Sequence, residues 1–598
     1  PISHSNARDA FKLWVSSGKP KHGAIYNAMR TSRAQFKYVL RACKNEEANH
    51  RADALAKSLI GKDYESFWKQ VAVMNNKNLP LSSNVGGASG CDDIAHMWGN
   101  HFSELLNSVS DVKHKEFVLV KASDVEFHND MYVPPCEILH ILKLLCIGKS
   151  PGPDGLTAEN LKYANDNICI LLSLLFSSLF SHSFVPVNLT KVTLVPLIKN
   201  KAGDITDRDN YRPIALATIL SKVAEHLLLN RCEEFLHTSS YQFGFKSGHA
   251  TDLCIYALKE TIQYYKLRGS PVFACFLDAR KAFDRVNHWS LLKKLLMRGA
   301  PCYIVKFLMI WFQTQLFCVQ WGASLSEYFH VSNGVRQGGI ISPRLFNMYV
   351  DELNYRLSKC GVGCNIGGSF LNNFSYADDM VLICPSVKGL RLLISICEQF
   401  AVENDIIYNT KKTECMIFCA NVPFNIKPVV KLNGIMLNFV DRFVYLGHVL
   451  VPTLSDDEDI SRQYRSLCSR ANMLKRKFCF CSLNVKICLF NSYCATLYTS
   501  HLWTSFKSCT MRKFTVCYNN AFRIIVGLRK SCSASAMFVN NGVLSFGELY
   551  RKIVFRFVSR RSMCNNSLIR KLCSLDLLGT VFTRRWQSVL YTGRLSTS

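Results

Sequence analysis

The chain has 598 residues with 48% hydrophobic and 12% aromatic content, which excludes a disordered polymer and exceeds what a single hydrophobic core organises. Lys and Arg number 72 and Asp and Glu 44, which leaves a formal net charge of +28. This excess predicts a polyanionic partner, with nucleic acid as the first choice and an anionic membrane surface as the second.

The 26 cysteines lack the spacing of a zinc site or of a disulfide framework. We therefore predict reduced, mostly buried thiols in an intracellular protein. The longest apolar run, Ile168–Phe184, is interrupted by serines and a histidine, which favours a buried helix over a membrane span. The chain begins at Pro1 rather than Met, so we expect it to be part of a longer open reading frame.

Residues 1–115 are rich in helix formers and carry basic residues at polar positions, which predicts a helical basic N-terminal region. A solvated face explains these charges as well as a phosphate-facing surface does. The Asn-, Ser- and Gly-rich stretch Asn75–Gly90 indicates a linker. Pro135–Ile147 has the pattern of an amphipathic helix, and the Gly- and Pro-rich loop Gly148–Leu156 that follows lacks P-loop spacing.

Two predicted strands in the middle of the chain end at polar residues. Val192–Ile198 precedes a polar loop that begins with Lys199. Val272–Leu277 is uniformly apolar, as expected of a buried strand, and is followed by Asp278, which is either a helix cap or a ligand. Between them, Tyr241–Lys246 interleaves aromatics with glycine and lysine, a pattern that suits base stacking but also a core beside a turn.

The segment Asn373–Cys384 has apolar residues on both sides of Asp378 and Asp379, which predicts a β-hairpin with the two acids at its tip. Adjacent like charges are unfavourable unless a cation neutralises them, and Mg²⁺ is the first choice because it prefers oxygen ligands. An ordinary solvated Asp-Asp turn explains the pair equally well. Upstream, Gly334–Pro343 is a flexible turn whose adjacent glycines would let the backbone approach a ligand closely.

Beyond about residue 455 the sequence is again helical and basic. The basic residues of one short stretch recur at helical spacing, so several share a face; they are Arg462, Arg465, Arg470, Lys475, Arg476 and Lys477. A solvated face is the default interpretation of such a run.

Asp278 and Asp378 would belong to one metal site if the chain is a polymerase, because polymerases use carboxylates from separate elements to hold two divalent ions. Asp278 and Asp378 lie 100 residues apart, a separation that is easily spanned when a strand and a neighbouring hairpin share one sheet. A glycine-rich turn to admit the nucleotide and a basic surface to follow the strands are both present.

At least residues 147–451 resemble the reverse transcriptase of non-LTR (LINE-type) retrotransposons, above all those of animal genomes. The resemblance rests on motifs in a fixed order: Gly148–Leu156, Asn210–Leu216, Gln242–Gly248, Leu277–His288, Gly334–Pro343, the Tyr-Ala-Asp-Asp signature Tyr376–Asp379, Asn409–Glu414 and Tyr445–Gly447. The sequence departs from many relatives at Gly339, where they carry Cys, and at Ile340-Ile341, but neither change removes a functional group.

This resemblance implies an α+β right-hand polymerase with fingers, a palm built on an antiparallel sheet, and a thumb. The predicted regions are 1–115, an extension that looks like the segment between endonuclease and polymerase, 134–451, the fingers and palm, and 452–598, the basic helical thumb and C-terminal extension. The endonuclease of such elements has no counterpart in the sequence.

The resemblance also implies roles for particular residues. The catalytic residues would be Asp278, Asp378, Asp379 and Lys412, with Lys412 as a general acid toward pyrophosphate. Two Mg²⁺ ions, or Mn²⁺ in their place, would be held by Asp278, the Ala279 carbonyl, Asp378 and, with weaker support for direct ligation, Asp379. The nucleotide would contact Lys199, Arg212, Ala279, Phe283, Gln337 and Gly338, and Phe283 would be the steric gate that rejects a ribose 2′-hydroxyl. The primer and template would contact Gln242, Phe243, Gly244, Tyr376, Tyr445, Leu446 and Gly447.

The implied activity is RNA-directed DNA synthesis from dNTPs in retrotransposition, with an RNA template and a DNA primer or target as partners and no membrane. The primer would be cut by a domain missing from this sequence or by another chain, and the family leads us to expect action in the nucleus. A catalytically inactive or domesticated RNA-binding protein is the main alternative. An RNA-directed RNA polymerase is a third, which Phe283 disfavours.

Overall fold

The computed structural model describes residues 2–75, 81–109, 112–123, 131–419, 427–575 and 579–592. The chain divides into two compact units, each assembled from separate stretches of sequence. The first unit comprises Pro1–Leu79, Asp456–Arg556 and Trp586–Ser598, and the second comprises Pro80–Ser455 and Phe557–Arg585.

The described residues are mainly helical. The helices are α1 Ile2–Ser16, α2 Ala24–Ile60, α3 Tyr64–Asn75, α4 Cys91–Leu106, α5 Lys115–Ser123, α6 Pro135–Leu144, α7 Ala158–Lys162, α8 Asn167–Ser181, α9 Val187–Thr190, α10 Ile219–Cys232, α11 Thr251–Lys266, α12 His288–Met297, α13 Cys302–Gln313, α14 Ser342–Lys359, α15 Val387–Glu403, α16 Asp457–Lys477, α17 Leu483–Tyr493, α18 Ser508–Val526, α19 Ala534–Asn540, α20 Phe546–Ser562, α21 Ser567–Ser574 and α22 Val581–Gln587.

The described strands belong to the second unit. They are β1 Asn84–Val85, β2 Ala88–Ser89, β3 Lys191–Ile198, β4 Tyr211–Ala217, β5 Val272–Leu277, β6 Leu316–Trp321, β7 Ser324–Leu325, β8 Phe329–His330, β9 Asn365–Ile366, β10 Ser369–Phe370, β11 Asn373–Tyr376, β12 Asp379–Cys384, β13 Glu414–Phe418, β14 Lys431–Leu432, β15 Ile435–Met436, β16 Asn438–Phe439, β17 Phe443–Tyr445 and β18 His448–Leu450.

The sheet that organises the second unit has the order β11-β12-β5-β13-β16. Its central strand β5 pairs antiparallel with both β12 and β13, and all six of its residues are buried. One face of β5 packs under α14 and α15 in a continuous apolar cluster, and α11 covers the other side. A strand covered on both faces needs an unbroken apolar sequence, which explains Val272–Leu277.

A second sheet, β4-β3-β6-β7 with β8 beside β6, carries the polar loop that follows β3. Helix α4 covers it through Trp98, which is fully buried among Phe102, Tyr211 and Trp321. Large aromatic rings in offset and tilted contact give this small interface most of its buried apolar area.

The first unit is a helical assembly of the two ends of the chain. Within it α1 packs on α2, α16 on α18, and α2 on α17. The Asn75 amide donates a hydrogen bond to the Tyr493 hydroxyl at 3.0 Å, and Trp68 packs against the same tyrosine ring. The Trp503 indole, fully buried, donates to Asp459 at 2.8 Å.

The α+β class and the right-hand plan predicted from the sequence are confirmed by the sheet and its helical cover. The domain limits 1–115, 134–451 and 452–598 remain predictions. The predicted N-terminal and C-terminal regions both contribute to the first compact unit, whereas Phe557–Arg585 packs with the second.

Two local predictions need correction. Helix α8, which covers most of Ile168–Phe184, is buried on one face only, since Leu171 and Leu174 on the other face are each 62% exposed. The predicted linker Asn75–Gly90 contains the hairpin β1–β2, although residues 76–80 of it lie outside the described residues. A search of the described helices found none long and apolar enough to cross a membrane.

Candidate active site

Asp278 and Asp378 are brought to one end of the central sheet by strand pairing. Leu277, the last residue of β5, pairs with Met380 of β12, and Tyr376 of β11 pairs with Asp379. Asp278 therefore leaves β5 beside the turn Ala377-Asp378 that joins β11 to β12. The predicted hairpin and the predicted strand share one sheet, so a separation of 100 residues in sequence becomes adjacency in space.

The charges of these residues act on one another. Two causes raise the pKa of the Asp378 carboxyl: removal from water is the larger, and the charge of Asp278 is the smaller. The pKa of Asp379 is raised to about 6, mainly by removal from water and to a lesser extent by the charges of Asp378 and Asp278. Both side chains of the turn reach solvent, so the repulsion is open to relief by a cation from outside.

The carboxylates suit a Mg²⁺ site that the substrate completes. Among the described residues, no three His, Cys, Asp or Glu side chains are grouped closely enough to hold an ion alone. Mg²⁺ in phosphoryl-transfer sites is commonly held by one or two carboxylates together with substrate phosphates and waters. The pair Asp278 and Asp378 fits this donor set, and Asp379 lies beside it.

The Ala279 carbonyl has an orientation consistent with its predicted role. The Asp278 carbonyl accepts from the Asn409 N–H at 2.7 Å, and the Arg280 N–H donates to the Ile407 carbonyl at 2.8 Å. Ala279 lies between these bonds and faces Tyr408 in an antiparallel bridge, so its own carbonyl points away from that edge.

Four cations form one basic cluster. Removal from water, and to a lesser extent the charges of Lys412, Lys281 and Arg212, lower the pKa of Lys199, so the four side chains share one region. Two of them, Lys199 and Lys281, act together with Asp378 on the carboxyl of Asp284. Lys199 also donates to the Asp209 carbonyl at 2.9 Å. The predicted residues Lys199, Arg212 and Lys412 thus come together, and the structure adds Lys281. A cluster of positive charge beside an acidic pair is the arrangement that a metal–triphosphate complex requires.

Phe283 is half-buried and has a fixed orientation. Its ring stacks on Phe346 at 4.4 Å between centroids and meets Phe245 edge-on at 6.2 Å. The Phe283 carbonyl accepts from the Val335 N–H at 2.8 Å, which ties it to the glycine-rich loop. A rigid ring held in this way can act as a steric gate.

Gln337 and Gly338 lie on a loop that is anchored to the second sheet. The Gln337 carbonyl accepts from the Ala215 N–H at 2.9 Å, and its side-chain amide donates to Asp284 at 2.7 Å. Gly338 has φ of 116°, a left-handed conformation that favours glycine. Asp284 is buried, and burial raises its pKa to about 6 despite the Gln337 hydrogen bond and the charges of Lys281 and Lys199.

A buried ion pair between the loop and α10 holds the loop that carries Gln337 and Gly338. The Arg336 guanidinium lies 3.3 Å from the Glu225 carboxylate, and both side chains are 3% exposed. Arg336 also donates to the Ser221 hydroxyl at 2.7 Å, while Glu225 accepts from the Ile340 and Ile341 N–H groups. Glu225 therefore fixes both ends of the turn that presents Gln337 and Gly338.

Three residues predicted to contact primer or template are placed differently. Gln242 and Phe243 are fully buried, and Tyr445 is 3% exposed, so their side chains do not face a nucleic-acid surface. Gln242 instead bonds to the turn at Ala377. The direct contacts predicted for these three side chains are corrected to positions behind the catalytic hairpin.

The remaining primer and template predictions are compatible with the structure and stay predictions. Leu446 and Gly447 form the β17–β18 turn with φ of 44° and 80°, and Gly447 is exposed. Tyr376 is half-buried beside the acidic turn, and Gly244 lies against the Ala377 backbone.

Sequence reasoning missed Lys281, Asp284, Arg336 and Glu225. Lys281, Asp284 and Arg336 lie inside the motifs Leu277–His288 and Gly334–Pro343, which by themselves assign these three residues no role. Glu225 carried a signal, because it is the one acidic residue of α10 and directly follows the apolar pair Val223-Ala224. A buried acid without a partner would be costly, so its position calls for a buried cation elsewhere in the chain.

Comparisons with known proteins agree with this site. Residues 198–450 match the family model described as reverse transcriptase (RNA-dependent DNA polymerase). The chain is 24% identical over 88% of its length to the RNA-directed DNA polymerase from mobile element jockey of Drosophila funebris, covering 60% of that protein. It is 27% identical over 50% of its length to a retrovirus-related Pol polyprotein from the type-1 retrotransposable element R2 of Popillia japonica, covering 42% of that protein.

A third relative is the probable RNA-directed DNA polymerase from transposon BS of Drosophila melanogaster, 25% identical over 78% of this chain and 54% of its own length. The chain spans about half the length of the curated relatives it matches. Among solved structures, telomerase from Candida albicans with a TWJ fragment of telomeric RNA covers 70% of this chain and 69% of its own, at 11% identity. Its TM-score of 0.29 is too low to support a conclusion.

The sheet, the paired carboxylates and the family match define residues 198–450 as a reverse transcriptase domain. The relatives are named as polymerases or Pol polyproteins of mobile elements, in agreement with the resemblance to non-LTR (LINE-type) reverse transcriptases that the sequence motifs predicted.

We expect Glu225→Gln to lower the free energy of unfolding of the second unit by about 3–5 kcal/mol, because it leaves the Arg336 cation buried without a counter-charge. Urea unfolding followed by circular dichroism measures this. Glu403→Gln is the matched control, since Glu403 pairs with Arg356 near the surface and its loss costs about 1 kcal/mol or less. Equal effects of the two substitutions would contradict the assignment.

We expect Asp284→Asn to flatten the pH dependence of stability in Mg²⁺-free buffer. The folded protein raises the pKa of Asp284 from 3.8 to about 6, so it binds the proton more tightly than the unfolded chain. The wild type should therefore lose stability relative to the variant as pH rises from 4 to 6, by on the order of 3 kcal/mol. Parallel stability curves for the two proteins from pH 4 to 8 would disprove the assignment.

Proposed function

We propose that the protein is an RNA-directed DNA polymerase that extends a DNA primer on an RNA template with dNTPs. The observation that carries the proposal is the meeting of Asp278 and Asp378 at one end of the sheet. The basic cluster of Lys199, Arg212, Lys281 and Lys412 supports it, because two of its members act with Asp378 on Asp284. Neighbouring acidic and basic groups suit a substrate that arrives as a metal–triphosphate complex.

The chemical step is a phosphoryl transfer, in which the primer 3′-oxygen forms a bond to the α-phosphorus and the bond to pyrophosphate breaks. Two Mg²⁺ ions, when bound, would supply Lewis-acid activation of the 3′-hydroxyl and charge stabilisation at the phosphates. Asp278, Asp378 and the Ala279 carbonyl would hold them, with Asp379 reinforcing the negative field. Lys199, Arg212 and Lys281 would orient the triphosphate, and Lys412 would donate a proton to the departing pyrophosphate.

Nucleotide selection would be made between Phe283 and the loop of Gln337 and Gly338. Phe283 is fixed by Phe346, so a ribose 2′-hydroxyl would meet a ring that cannot move aside. Gln337 is fixed by Asp284 and by the Ala215 N–H, which gives the opposite wall a constant position. Both walls are pre-organised before the nucleotide arrives, which lowers the entropy cost of correct binding.

The nucleic-acid partners follow from charge and from the relatives. A net charge of +28 supports binding of an RNA template and a DNA primer with strong salt dependence. For an element of this kind, the primer would be target DNA in the nucleus, cut by a domain outside this sequence or by another chain. A catalytically inactive RNA-binding protein would share the salt dependence, so only the polymerase assay separates the two.

We expect Asp378→Asn to lower dNTP incorporation on an RNA template by about 10²–10³-fold, because loss of a ligand removes several kcal/mol of transition-state stabilisation. Primer extension with Mg²⁺ measures the rate. Asp441→Asn is the control, since Asp441 is 83% exposed and makes only a 4.0 Å contact with Lys427. A folded, RNA-binding wild type that incorporates no dNTP would favour the binding-protein alternative.

We expect Phe283→Ala to increase rNTP use relative to dNTP use by about 10–100-fold, because the steric penalty on the 2′-hydroxyl is removed. The ratio of kcat/KM for rCTP and dCTP measures this and is independent of the fraction of folded enzyme. Phe184→Ala, at a 60% exposed phenylalanine, should leave the ratio unchanged. An unaltered ratio in the Phe283 variant would remove it from the role of gate.

A further inference from the structure

The buried amide of Gln242 is bonded to the backbone of the catalytic turn. Its side-chain oxygen accepts from the Ala377 N–H at 2.8 Å and from the Gly244 N–H at 2.9 Å. Its side-chain nitrogen donates to the Ala377 carbonyl at 3.2 Å. One fully buried side chain therefore satisfies both backbone groups of the residue that immediately precedes Asp378.

The turn needs such support because its backbone is strained. Ala377 has φ of 58°, a left-handed conformation that costs a non-glycine residue on the order of 1 kcal/mol or more. A two-residue turn with that strain could relax into other conformations, and each would move the Asp378 carboxylate. Hydrogen bonds to both the N–H and the carbonyl of Ala377 select one conformation.

The residues around Gln242 extend this support to β11. The Ser375 N–H donates to the Tyr241 carbonyl at 2.9 Å, and the Phe243 N–H donates to the Ser375 carbonyl at 2.8 Å. Gly244 approaches so closely that a Cβ there would lie 2.4 Å from the Ala377 nitrogen. The segment Tyr241–Gly244 therefore lies along the hairpin, where Gln242 and Ser375 form an isolated parallel bridge.

The C-terminal part of the second unit holds this segment from outside. The Asn566 amide donates to the Ser240 carbonyl at 2.7 Å, and the Ser567 and Ser240 hydroxyls lie 2.8 Å apart. Nearby, Arg561 donates to the Tyr256 hydroxyl at 2.8 Å, which secures the same C-terminal stretch to α11. Residues 566 and 567 lie beyond the match to the reverse transcriptase family model, which ends at residue 450.

We propose that Gln242 is a positioning residue that fixes the Asp378 turn, and that Asn566 holds the segment carrying it. The expected effect on kcat rests on the proposed polymerase function, whereas the expected effect on the conformation of the hairpin does not. It replaces a nucleic-acid contact with a backbone contact, so it predicts a change in the rate of chemistry and none in the affinity for template and primer.

The first test is Gln242→Met, which keeps the length of the side chain and removes its hydrogen bonds. We expect kcat for dNTP incorporation to fall by about 10–100-fold, while KM for dNTP and Kd for an RNA–DNA template–primer change by less than about threefold. Gln399→Met is the matched control, because Gln399 lies on α15 and its amide bonds only to the neighbouring Glu403 on the same helix. Weakened template–primer binding with kcat intact would overturn the proposal and restore the direct contact.

Hydrogen exchange supplies a readout that does not need activity. In Gln242→Met, amides of Asn373–Cys384 should exchange at least about fivefold faster than in the wild type, with α13 unchanged. Unchanged exchange in the hairpin would disprove the positioning role of Gln242 even if the wild type proved inactive. Conversely, faster exchange in an inactive protein would support that role and contradict only the proposed function.

The second variant is Asn566→Asp, which covers the case in which Gln242→Met does not fold. The aspartate oxygen can still accept from the Leu568 and Ile569 N–H groups that Asn566 caps at the start of α21, but it cannot donate to Ser240. We expect faster exchange in Tyr241–Gly244 and in the hairpin, with a roughly two- to fivefold lower kcat. No change in either exchange or kcat would remove Asn566 from the proposal.

Discussion

Repulsion between carboxylates is the constraint on which the catalytic region depends. Strand pairing forces Asp278 and the turn containing Asp378 and Asp379 to one end of the sheet, where each charge disfavours the others. The fold tolerates this cost because β5 is held between helical layers and cannot shift without exposing six buried residues. The site is therefore assembled in advance, and binding of cations relieves a repulsion that folding has already imposed.

Charged residues around the acidic turn form two separate groups, a basic cluster and a buried ion pair. Lys199, Arg212, Lys281 and Lys412 form one basic cluster, and two of them, Lys199 and Lys281, act together with Asp378 on the carboxyl of Asp284. The glycine-rich loop is fixed by charges that face inward, since Glu225 and Arg336 neutralise each other beneath it. The buried Glu225–Arg336 pair thus holds the loop in place, and its charges are separate from those of the exposed acidic turn.

The sequence was sufficient to predict the right-hand plan and the meeting of Asp278 with the Asp378-Asp379 turn because the underlying patterns are local. An unbroken apolar run followed by Asp278 predicts a buried strand with an acid at its end, and apolar residues on both sides of two acids predict a hairpin with the acids at its tip. The burial of Gln242 could not be predicted, because the aromatic residues beside it fit base stacking and a core equally well and its partner at Ala377 lies 135 positions away. The Glu225–Arg336 pair could not be predicted for the same reason, since its partners are separated by 111 positions. Half-burial of α8 was missed because apolar residues occur on both of its faces, so its sequence gives no periodic signal that distinguishes them.

The discontinuity of the second unit has a consequence for synthesis of the chain. Residues Phe557–Arg585 leave the ribosome long after Pro80–Ser455, yet both belong to one compact body. The acidic hairpin and its hydrogen bonds to Gln242 can form early, but the hydrogen bond from Asn566 to Ser240 must wait until residue 566 has been synthesised. A nascent chain halted near residue 556 would therefore carry Asp278, Asp378 and Asp379 on an unfinished scaffold.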